Sequence, residues 1–557
     1  MSRSLNALYG WLLLLPAIVL LAAFTHYPAL ATLWHSFFST PKGARPARFV
    51  GLDNYAVMRD DPVFWQSLWN NLWFALGTIP TSIGIALVMA LWVNRNLRGR
   101  GFLRMAYFTP TVLPMVAVAN IWLFFYTPQY GLIAQVMQLF GSPGPNWLGN
   151  RETALPALML VTVWKESGFF MIFYLAALQT VSPSLREAAM LEGASRWQYF
   201  RRVLWPLLMP TTLFVLINAL INAFRLAGPR GGHDPRRARQ RQHAAAVLHL
   251  PGGLQFLGHR LRRDADRRAA GGAGADGAGQ VPLAGPQDAL PMKDKLDTLG
   301  AWALGLLWIL PLAYAVWAAF HPPAYATRFD LFAPLTLDNF ARAWQAAPFP
   351  RYFANTFLLV TMVLAAQLVL STLAGYAFAR FEFRGRDFVF MLVLLQLMIM
   401  PDVLLVENYR SMSQLGIRDT VFAIGLPYFA SAFGIFLLRQ TFKTVPRELE
   451  EAARMEGANA LQVLWKVYVP LAKPIYVAYG LVSVSHHWNN FLWPLIITNS
   501  VESRPLTVGL QVFSSTDQGI DWSVITAATL MSAAPLLIAF LLFQRQFVQS
   551  FMRAGIR

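Results

Sequence analysis

The chain has no cysteine in its 557 residues and is poor in charged residues. Without thiols it forms neither disulfides nor thiolate metal sites. Charged residues make up 13% of the sequence, against about 25% in soluble proteins, which argues against a soluble globular fold. The motif G-x-x-x-x-G-K-[ST], the usual phosphate-cradling loop of ATPases, is also absent. We therefore expect a protein that is not an enzyme and that holds no metal or cofactor of its own.

Apolar residues dominate what is present, at 56% of the chain. Several apolar runs reach about 20 residues, the length that spans the hydrocarbon core as a helix. Because lipid offers no hydrogen bonds to the backbone, helices are the expected spanning structure. The sequence predicts an all-α polytopic membrane protein. The predicted spans lie near 10–31, 72–93, 105–127, 153–178 and 204–224 in the first half, and near 299–320, 356–379, 388–406, 420–438, 471–492 and 525–544 in the second.

The net charge of +18 admits two interpretations, a nucleic-acid partner or a membrane topology. Lys and Arg collect in cytoplasmic loops of membrane proteins. Here the basic residues fall in alternate loops, so we interpret the charge as topology and expect no nucleic-acid partner. The clustered residues are Arg95, Arg98, Arg100 and Arg104; Arg186, Arg196, Arg201 and Arg202; Arg380, Arg384 and Arg386; and Lys443, Arg447, Arg454 and Lys466.

A polar sequence occurs twice, at 185–206 and at 449–470, and each copy precedes a long apolar run. Each copy has Glu-Ala-Ala, then three residues, a Gly, and a later Pro. We call these segments the Glu-Ala-Ala loops. One constant offset along the chain, called the repeat offset below, relates Glu187 to Glu451, Gly193 to Gly457 and Pro206 to Pro470.

A second pair of matching loops supports an internal repeat. Arg98-Gly99-Arg100 and Arg384-Gly385-Arg386 each follow a long apolar run in their own half. Parallel repeats in transporters are related by an axis along the membrane normal. The sequence therefore predicts two homologous bundles of about six helices each, with both Glu-Ala-Ala loops on the cytoplasmic side.

The first half shows only five apolar runs, and the position of its sixth is filled by an unusual segment. Residues 228–291 hold ten Arg, twelve Gly and no Lys or Glu, a composition unsuited to a membrane helix. One permitted set of codons for 249–266, read one base later, encodes a mixed sequence rich in aromatic residues. A basic linker is one interpretation of 228–291; the codon pattern favours the other, which is frameshifted text with a lost sixth helix. The predicted domains are 1–227, 228–291 and 292–557, the last starting at Met292.

Two further short motifs resemble each other and a known family. The sequences FVGLDNY at 49–55 and LTLDNF at 335–340 each follow a first span. With the Glu-Ala-Ala loops, they resemble the paired permeases of maltose-type carbohydrate-uptake ABC transporters. In the second half, HHWNNFLWPLIITNS at 486–500 and RPLTVGLQVFSS at 504–515 are similar to one of the two permeases of the sn-glycerol-3-phosphate branch. The first half is similar to the other permease of that branch, so the chain resembles a fusion of the pair.

The resemblance implies import of a small solute across a bacterial inner membrane. ATP is then hydrolysed by a separate ATPase dimer, a periplasmic binding protein delivers the solute, and sn-glycerol 3-phosphate is the leading substrate. A neutral sugar or oligosaccharide of the same family is the alternative. The Glu-Ala-Ala loops would dock the ATPase: the small alanines allow close approach, the glycines allow a bend, and the glutamates accept charged hydrogen bonds. The predicted docking residues are Glu187, Ala188, Ala189, Gly193, Glu451, Ala452, Ala453 and Gly457.

Polar residues inside apolar runs are candidates for the substrate path. A central charge costs about 2.5–3.5 kcal/mol on insertion scales, so such a residue should face protein or water. Each candidate has a structural alternative: an ion pair for Lys165 and Glu166, and a helix cap for the cluster near residue 488. The candidates are Lys165, Glu166, Arg225, His487, Trp488, Asn489 and Asn490.

Two other function classes remain open from the residues alone. A secondary transporter with two related bundles would take up solute on a gradient without ATPase subunits, but the sequence shows no chain of intramembrane carboxylates for proton coupling. A membrane enzyme acting on lipid or sugar would need a metal cluster or paired catalytic carboxylates, and the sequence offers neither.

Overall fold

The computed structural model describes residues 3–40, 46–95, 97–128, 131–141, 144–226, 292–326, 330, 332–514 and 521–554. The segment that we interpret as frameshifted, 228–291, lies outside the described residues. Helices make up almost all of the regular structure, and one isolated antiparallel bridge joins Phe38 to Phe49.

Eleven α-helices form the first half. They are α1 Arg3–Leu21, α2 Tyr27–His35, α3 Asp53–Asp60, α4 Pro62–Val93, α5 Arg100–Val112, α6 Met115–Tyr126, α7 Leu132–Leu139, α8 Arg151–Thr180, α9 Pro183–Leu191, α10 Arg196–Tyr199 and α11 Trp205–Leu226. Two π-helical turns, Ala22–His26 and Phe200–Leu204, join α1 to α2 and α10 to α11.

The second half repeats this order with different details. Its helices are α12 Met292–Ala319, α13 Pro323–Ala326, α14 Asp338–Ala346, α15 Phe349–Arg380, α16 Arg386–Leu395, α17 Leu405–Gln414, α18 Val421–Gly425, α19 Ala432–Thr444, α20 Arg447–Met455, α21 Ala460–Val463, α22 Val469–Leu471, α23 Lys473–Trp488, α24 Leu492–Ile497, α25 Leu506–Gly509 and α26 Trp522–Ala554. The π-helical turn Leu464–Tyr468 stands between α21 and α22. Short 3₁₀ turns cover Gln396–Met398, Pro401–Leu404, Leu426–Tyr428 and Leu510–Ser514.

These helices confirm the predicted polytopic all-α fold. Over the described residues, seven helices are long and apolar enough to cross a membrane, and four bent pairs bring the number of spans to eleven. Each of the eleven predicted apolar runs overlaps one of these spans, five in the first half and six in the second. The bends are large: the chain turns by 102° between α5 and α6, and by 94° between 386–398 and 401–414.

The two halves match in local geometry as well as in sequence. α4 and α15 each have 32 residues. Both are followed by a glycine with a left-handed backbone, Gly99 at φ 76° and Gly385 at φ 81°. The shared Arg-Gly-Arg motif therefore corresponds to a left-handed turn in each half, a backbone conformation that a residue with a side chain adopts only with strain.

The first span of the second half packs against the first half. α12 lies on α4, α5 and α6. Tyr107 Oη donates to Ala301 O over 2.7 Å, and Trp164 Nε1 donates to Trp308 O over 2.8 Å. Since lipid tails are as apolar as leucine, close packing and hydrogen bonds of this kind hold membrane helices together.

The first span of the first half packs, in turn, against the second half. α1 lies along α15, and Leu14 and Ala17 are fully buried there. Farther along, Asn408 Nδ2 donates to Phe24 O over 3.2 Å. The halves thus exchange their first spans, an arrangement that the hydropathy pattern did not predict.

The duplicated Asp-Asn motif closes the outer end of each first span. Asn54 Nδ2 donates to Ser36 O and Phe38 O over 2.8 and 2.9 Å. Asn339 Nδ2 donates to Ala319 O and His321 O over 2.9 and 2.8 Å. Carbonyls at a helix end have no partner within the helix, so the motif acts as a C-terminal cap in both halves.

Candidate functional site

Each Glu-Ala-Ala loop folds as two short helices at an angle. In the first, α9 ends before Gly193, which has φ 75°, and α10 follows. In the second, Gly457 has φ 83° between α20 and α21. The backbone N–H after each glycine reaches back: Ala194 N donates to Ala189 O over 2.9 Å, as Ala458 N does to Ala453 O over 3.0 Å. Both glycines therefore make a left-handed helix end that satisfies the last carbonyls.

Both loops start their second helix with a reciprocal cap. Ser195 N donates to Gln198 Oε1 over 2.7 Å, and Gln198 N donates to Ser195 Oγ over 3.2 Å. Asn459 and Gln462 make the same pair of bonds at 2.8 and 2.9 Å. Such a capping box fixes where a helix begins, so the angle between the two short helices is defined in each loop.

The predicted docking residues divide into an outward and an inward set. Glu187, Ala188 and Gly193 are exposed, while Ala189 is buried. The second loop repeats this pattern, with its second alanine, Ala453, half-buried. An exposed apolar surface rimmed by charge is typical of a protein–protein contact. Large apolar side chains accompany the exposed glutamates here: Met190, Leu191, Trp197, Met455 and Trp465.

Lys165 fills the break between α5 and α6. Its Nζ donates to Leu113 O over 2.8 Å, to Thr111 O over 3.2 Å and to Pro110 O over 3.5 Å. Asn489 Nδ2, from the second half, donates to the remaining carbonyl of the break, Val112 O, over 3.1 Å. The broken backbone is therefore satisfied by one lysine and one asparagine, and the lysine is committed to carbonyls.

The other predicted path residues lie apart. Glu166 Oε2 accepts from Asn222 Nδ2 over 3.1 Å. Trp488 Nε1 donates to Ser532 O over 3.2 Å, which joins α23 to α26. Asn490 O accepts from Thr507 Oγ1 over 2.7 Å. Arg225 belongs to the last turn of α11. The predicted residues thus do not form one cluster; among them, His487 alone lines the cavity described next.

A cavity of about 350 Å³ lies within the second half, against the first span of the first half. It opens where two spans are broken, near 396–401 and 427–433. Gln367, on α15, stands at the centre of its polar wall. Gln367 Oε1 accepts from Tyr479 Oη over 2.8 Å and from Ser483 Oγ over 2.6 Å. The broken helices leave polar backbone near the middle of the membrane, which is tolerated only around such a cavity.

The amide nitrogen of Gln367 completes this network. Its Nε2 donates to Tyr428 O over 2.7 Å and lies 3.1 Å from His487 Nε2. A second glutamine, Gln396, lies at the other break but bonds to the same stretch of backbone: its Oε1 accepts from Ala432 N over 2.7 Å. Asn408 Oδ1 also faces this region, is buried, and has no hydrogen-bond partner among the described residues. It remains available to a hydroxyl group of a bound solute.

The cavity wall carries polar and aromatic groups but no formal cation. Its lining residues include Thr25, Gln367, Gln396, Asn408, Tyr428, Phe433, Tyr479, Ser483, His486, His487 and Trp493, and none of the described lining residues is Lys, Arg, Asp or Glu. Sequence analysis singled out His487 and missed Gln367, although a glutamine near the middle of a 32-residue apolar helix is itself a signal.

The equivalent place in the first half is closed. The repeat offset relates Tyr479, Ser483 and His487 to Val215, Ala219 and Ala223. These three are buried in the apolar core. Among the described residues, the three polar groups of the cavity wall therefore have apolar counterparts in the first half.

Asp419 binds the loop at 499–503, which lies on the opposite side of the protein from the Glu-Ala-Ala loops. Asp419 Oδ1 accepts from Asn499 N over 2.7 Å, from Ser500 N over 3.0 Å and from Ser503 Oγ. Burial alone would raise the pKa of this carboxyl, but the three hydrogen bonds to its charged form outweigh burial and lower the pKa well below its usual value. The charged Asp419 thus fixes the segment that follows α24.

Comparison with known proteins decides the family. The profile of the family described as "binding-protein-dependent transport system inner membrane component" matches residues 82–228 and 340–553, one region in each half. The chain belongs to this family. Because the relatives are transport-system permeases, the chain is a membrane permease and not an enzyme, as predicted. The match also decides against a secondary transporter and a membrane enzyme.

Several curated permeases are similar in sequence to this permease over a stretch of about half its length. The arabinooligosaccharide transport permease AraQ of Halalkalibacterium halodurans is 31% identical over 273 residues, covering 48% of this chain and 98% of that protein. The sulfoquinovosyl glycerol permease SmoG of Agrobacterium fabrum is 34% identical over 221 residues, covering 40% and 72%. The sn-glycerol-3-phosphate permease UgpE of Yersinia pestis is 29% identical over 258 residues, covering 44% and 92%.

Among solved structures, a bacterial ABC transporter that imports the acidic polysaccharide alginate is similar to the permease. It is 25% identical, with a TM-score of 0.43, over 47% of this chain and 100% of that chain.

The contacts of Lys165 generate a prediction that separates its two interpretations. The variant Lys165→Met should lower the free energy of unfolding by about 3 kcal/mol or more, because three carbonyls lose a charged donor in the membrane interior. The exposed Lys473→Met is the matched control and should leave stability unchanged. Thermal unfolding of the purified permease in detergent measures both. An unchanged midpoint, together with weakened uptake of an anionic solute, would favour the anion path instead.

Proposed function

We propose that this permease forms the membrane pathway of a bacterial inner-membrane importer. In this proposal separate ATPase subunits dock on the two Glu-Ala-Ala loops, and a periplasmic binding protein delivers a small solute from the opposite side. The observation that carries the proposal is the pair of matched loops, exposed at Glu187 and Glu451 and built with the same bend and cap. ATP is bound by the partner subunits, and the permease supplies the path.

The geometry supports a docking role for each predicted residue type. The exposed glutamates can accept from Arg or backbone N–H groups of a partner, as charge-assisted bonds. The exposed Ala188 and Ala452 leave room for a partner backbone, while the alanine that follows each of them is buried or half-buried. The left-handed Gly193 and Gly457 fix the bend. Movement of the docked ATPases would then rock the two halves about the cavity region.

The chemistry of the cavity favours a neutral, polyhydroxylated solute. Amides, hydroxyls and aromatic rings line it, and such groups suit sugar hydroxyls and ring faces. Recognition of a phosphate usually depends on Arg or Lys, and Lys165 is already bonded to three carbonyls. The sequence motifs of the second half predict sn-glycerol 3-phosphate as the substrate. The chemistry of the cavity supports the alternative, a neutral sugar or oligosaccharide.

We also propose the domain division 1–227, 228–291 and 292–557, with an exchange of first spans between the two permease halves. Because α12 and α1 each pack on the opposite half, the two halves should assemble even when made as separate chains, the second starting at Met292.

The coupling prediction uses the duplicated glutamates. Replacing both, Glu187→Gln and Glu451→Gln, should abolish ATP-driven uptake in vesicles while leaving the permease in the membrane, since each change removes a charged acceptor from the docking surface. Glu192→Gln with Glu456→Gln makes the same chemical change at another pair of matched, exposed positions in the same loops, and should retain uptake. Full transport and ATPase recruitment by the first pair would contradict the proposal.

The substrate prediction is tested by competition. Vesicles that contain the permease with its ATPase subunits and solute-binding protein should accumulate a labelled neutral saccharide, because no formal cation is present among the described lining residues to hold a phosphate. Excess unlabelled glycerol 3-phosphate should not reduce that uptake. Saturable uptake of glycerol 3-phosphate, with no neutral sugar transported, would restore the phosphate prediction and leave the permease function intact.

A further inference from the structure

A buried carboxylate fastens the second Glu-Ala-Ala loop to the membrane bundle. Glu450, the residue before the motif's own glutamate, lies on α20 with 13% of its side chain exposed. Its Oε2 accepts from Tyr468 Oη over 2.6 Å, and its Oε1 accepts from Arg454 over 2.7 Å. Arg380 Nε is 3.8 Å from the same carboxylate. Both oxygens are thus engaged.

Arg380 extends this cluster to two more elements. It stands at the C-terminus of α15, with 7% of its side chain exposed. Its guanidinium donates to Phe442 O over 3.0 Å and to Val445 O, the carbonyls at the joint between α19 and α20. The guanidinium also lies 5.0 Å from the centre of the Tyr468 ring. Glu450 and Arg380 therefore tie together α15, the joint before α20, and the π-helical turn that leads to α23.

The first loop has different residues at the same places. The repeat offset relates Glu450, Arg454 and Tyr468 to Arg186, Met190 and Leu204. Arg186 and Met190 are exposed, and Leu204 is buried among apolar groups. Of these three residues only Leu204 packs on the bundle, through apolar contacts, so the charged cluster around Glu450 has no counterpart at the matching positions of the first loop.

We propose that Glu450 is a positioning residue for coupling: it makes α20 move as one body with α15 and the turn at 464–468. Moving α20 relative to the bundle would separate Glu450 from Tyr468 and Arg380 and leave it only Arg454 of its own helix, which is unfavourable for a largely buried carboxylate. The second loop then transmits displacement of its docked ATPase directly to the half that holds the cavity. This inference rests on the proposed docking of ATPase subunits.

The variants Glu450→Gln and Tyr468→Phe test the proposal, each in the full complex with ATPase subunits and binding protein. The readout is solute transported per ATP hydrolysed, measured per assembled complex in vesicles, so that a smaller amount of folded protein does not alter it. Glu450→Gln should lower this ratio at least about tenfold, the scale of one lost hydrogen bond to a charged group. Tyr468→Phe, which keeps the carboxylate, should lower it less.

Glu448→Gln is the matched control: it makes the same change on the exposed side of α20 and should leave the ratio unchanged. A ratio for both Glu450→Gln and Tyr468→Phe equal to that of the control would overturn the inference. If Glu450→Gln does not assemble, Tyr468→Phe decides alone. Failure of the unmodified complex to show any ATP-driven uptake would instead contradict the proposed function itself.

Discussion

The constraint on which the structure depends is the need to satisfy carbonyl and N–H groups where a membrane helix is broken. Lipid supplies no hydrogen bonds, so every break must find its partners within the protein. In the first half, Lys165 and Asn489 take up the four carbonyls from Pro110 to Leu113. In the second half, the neutral amides of Gln367 and Gln396 bond to backbone groups of the break near 427–433, namely Tyr428 O, Ala430 O and Ala432 N.

The two halves therefore differ in the side chains of their interiors, although their loops and helix caps are alike. The loops share their glycine bends and capping boxes, and the first spans share their asparagine caps. In the middle, a lysine and three small apolar residues close the first half, while glutamine, tyrosine, serine and histidine surround open space in the second. The two halves thus share the loops and caps that are expected to meet partners, and they differ in the polarity of their interiors.

The sequence was sufficient for the spans, the repeat and the loops, because each depends on local composition or on spacing along the chain. The eleven spans followed from hydropathy, and the glycine bends of the loops followed from the repeat offset. The exchange of first spans could not be predicted, because it depends on which distant surfaces fit, as in the bond from Tyr107 to Ala301. Lys165 was visible as a buried charge, but its carbonyl partners appear only once the α5–α6 bend is known. Gln367 was missed because a single neutral polar residue hardly changes the hydropathy of its run.

The most direct test of a solute site in one half uses the absence of native cysteine. Ser483→Cys and Ala219→Cys occupy the same place in the two halves, and a membrane-impermeant thiol reagent reports which place is open to water. The account predicts that the cysteine at 483 reacts and is protected by a saturating transported solute, while the cysteine at 219 does not react. Reaction and solute protection at 219, with none at 483, would contradict it.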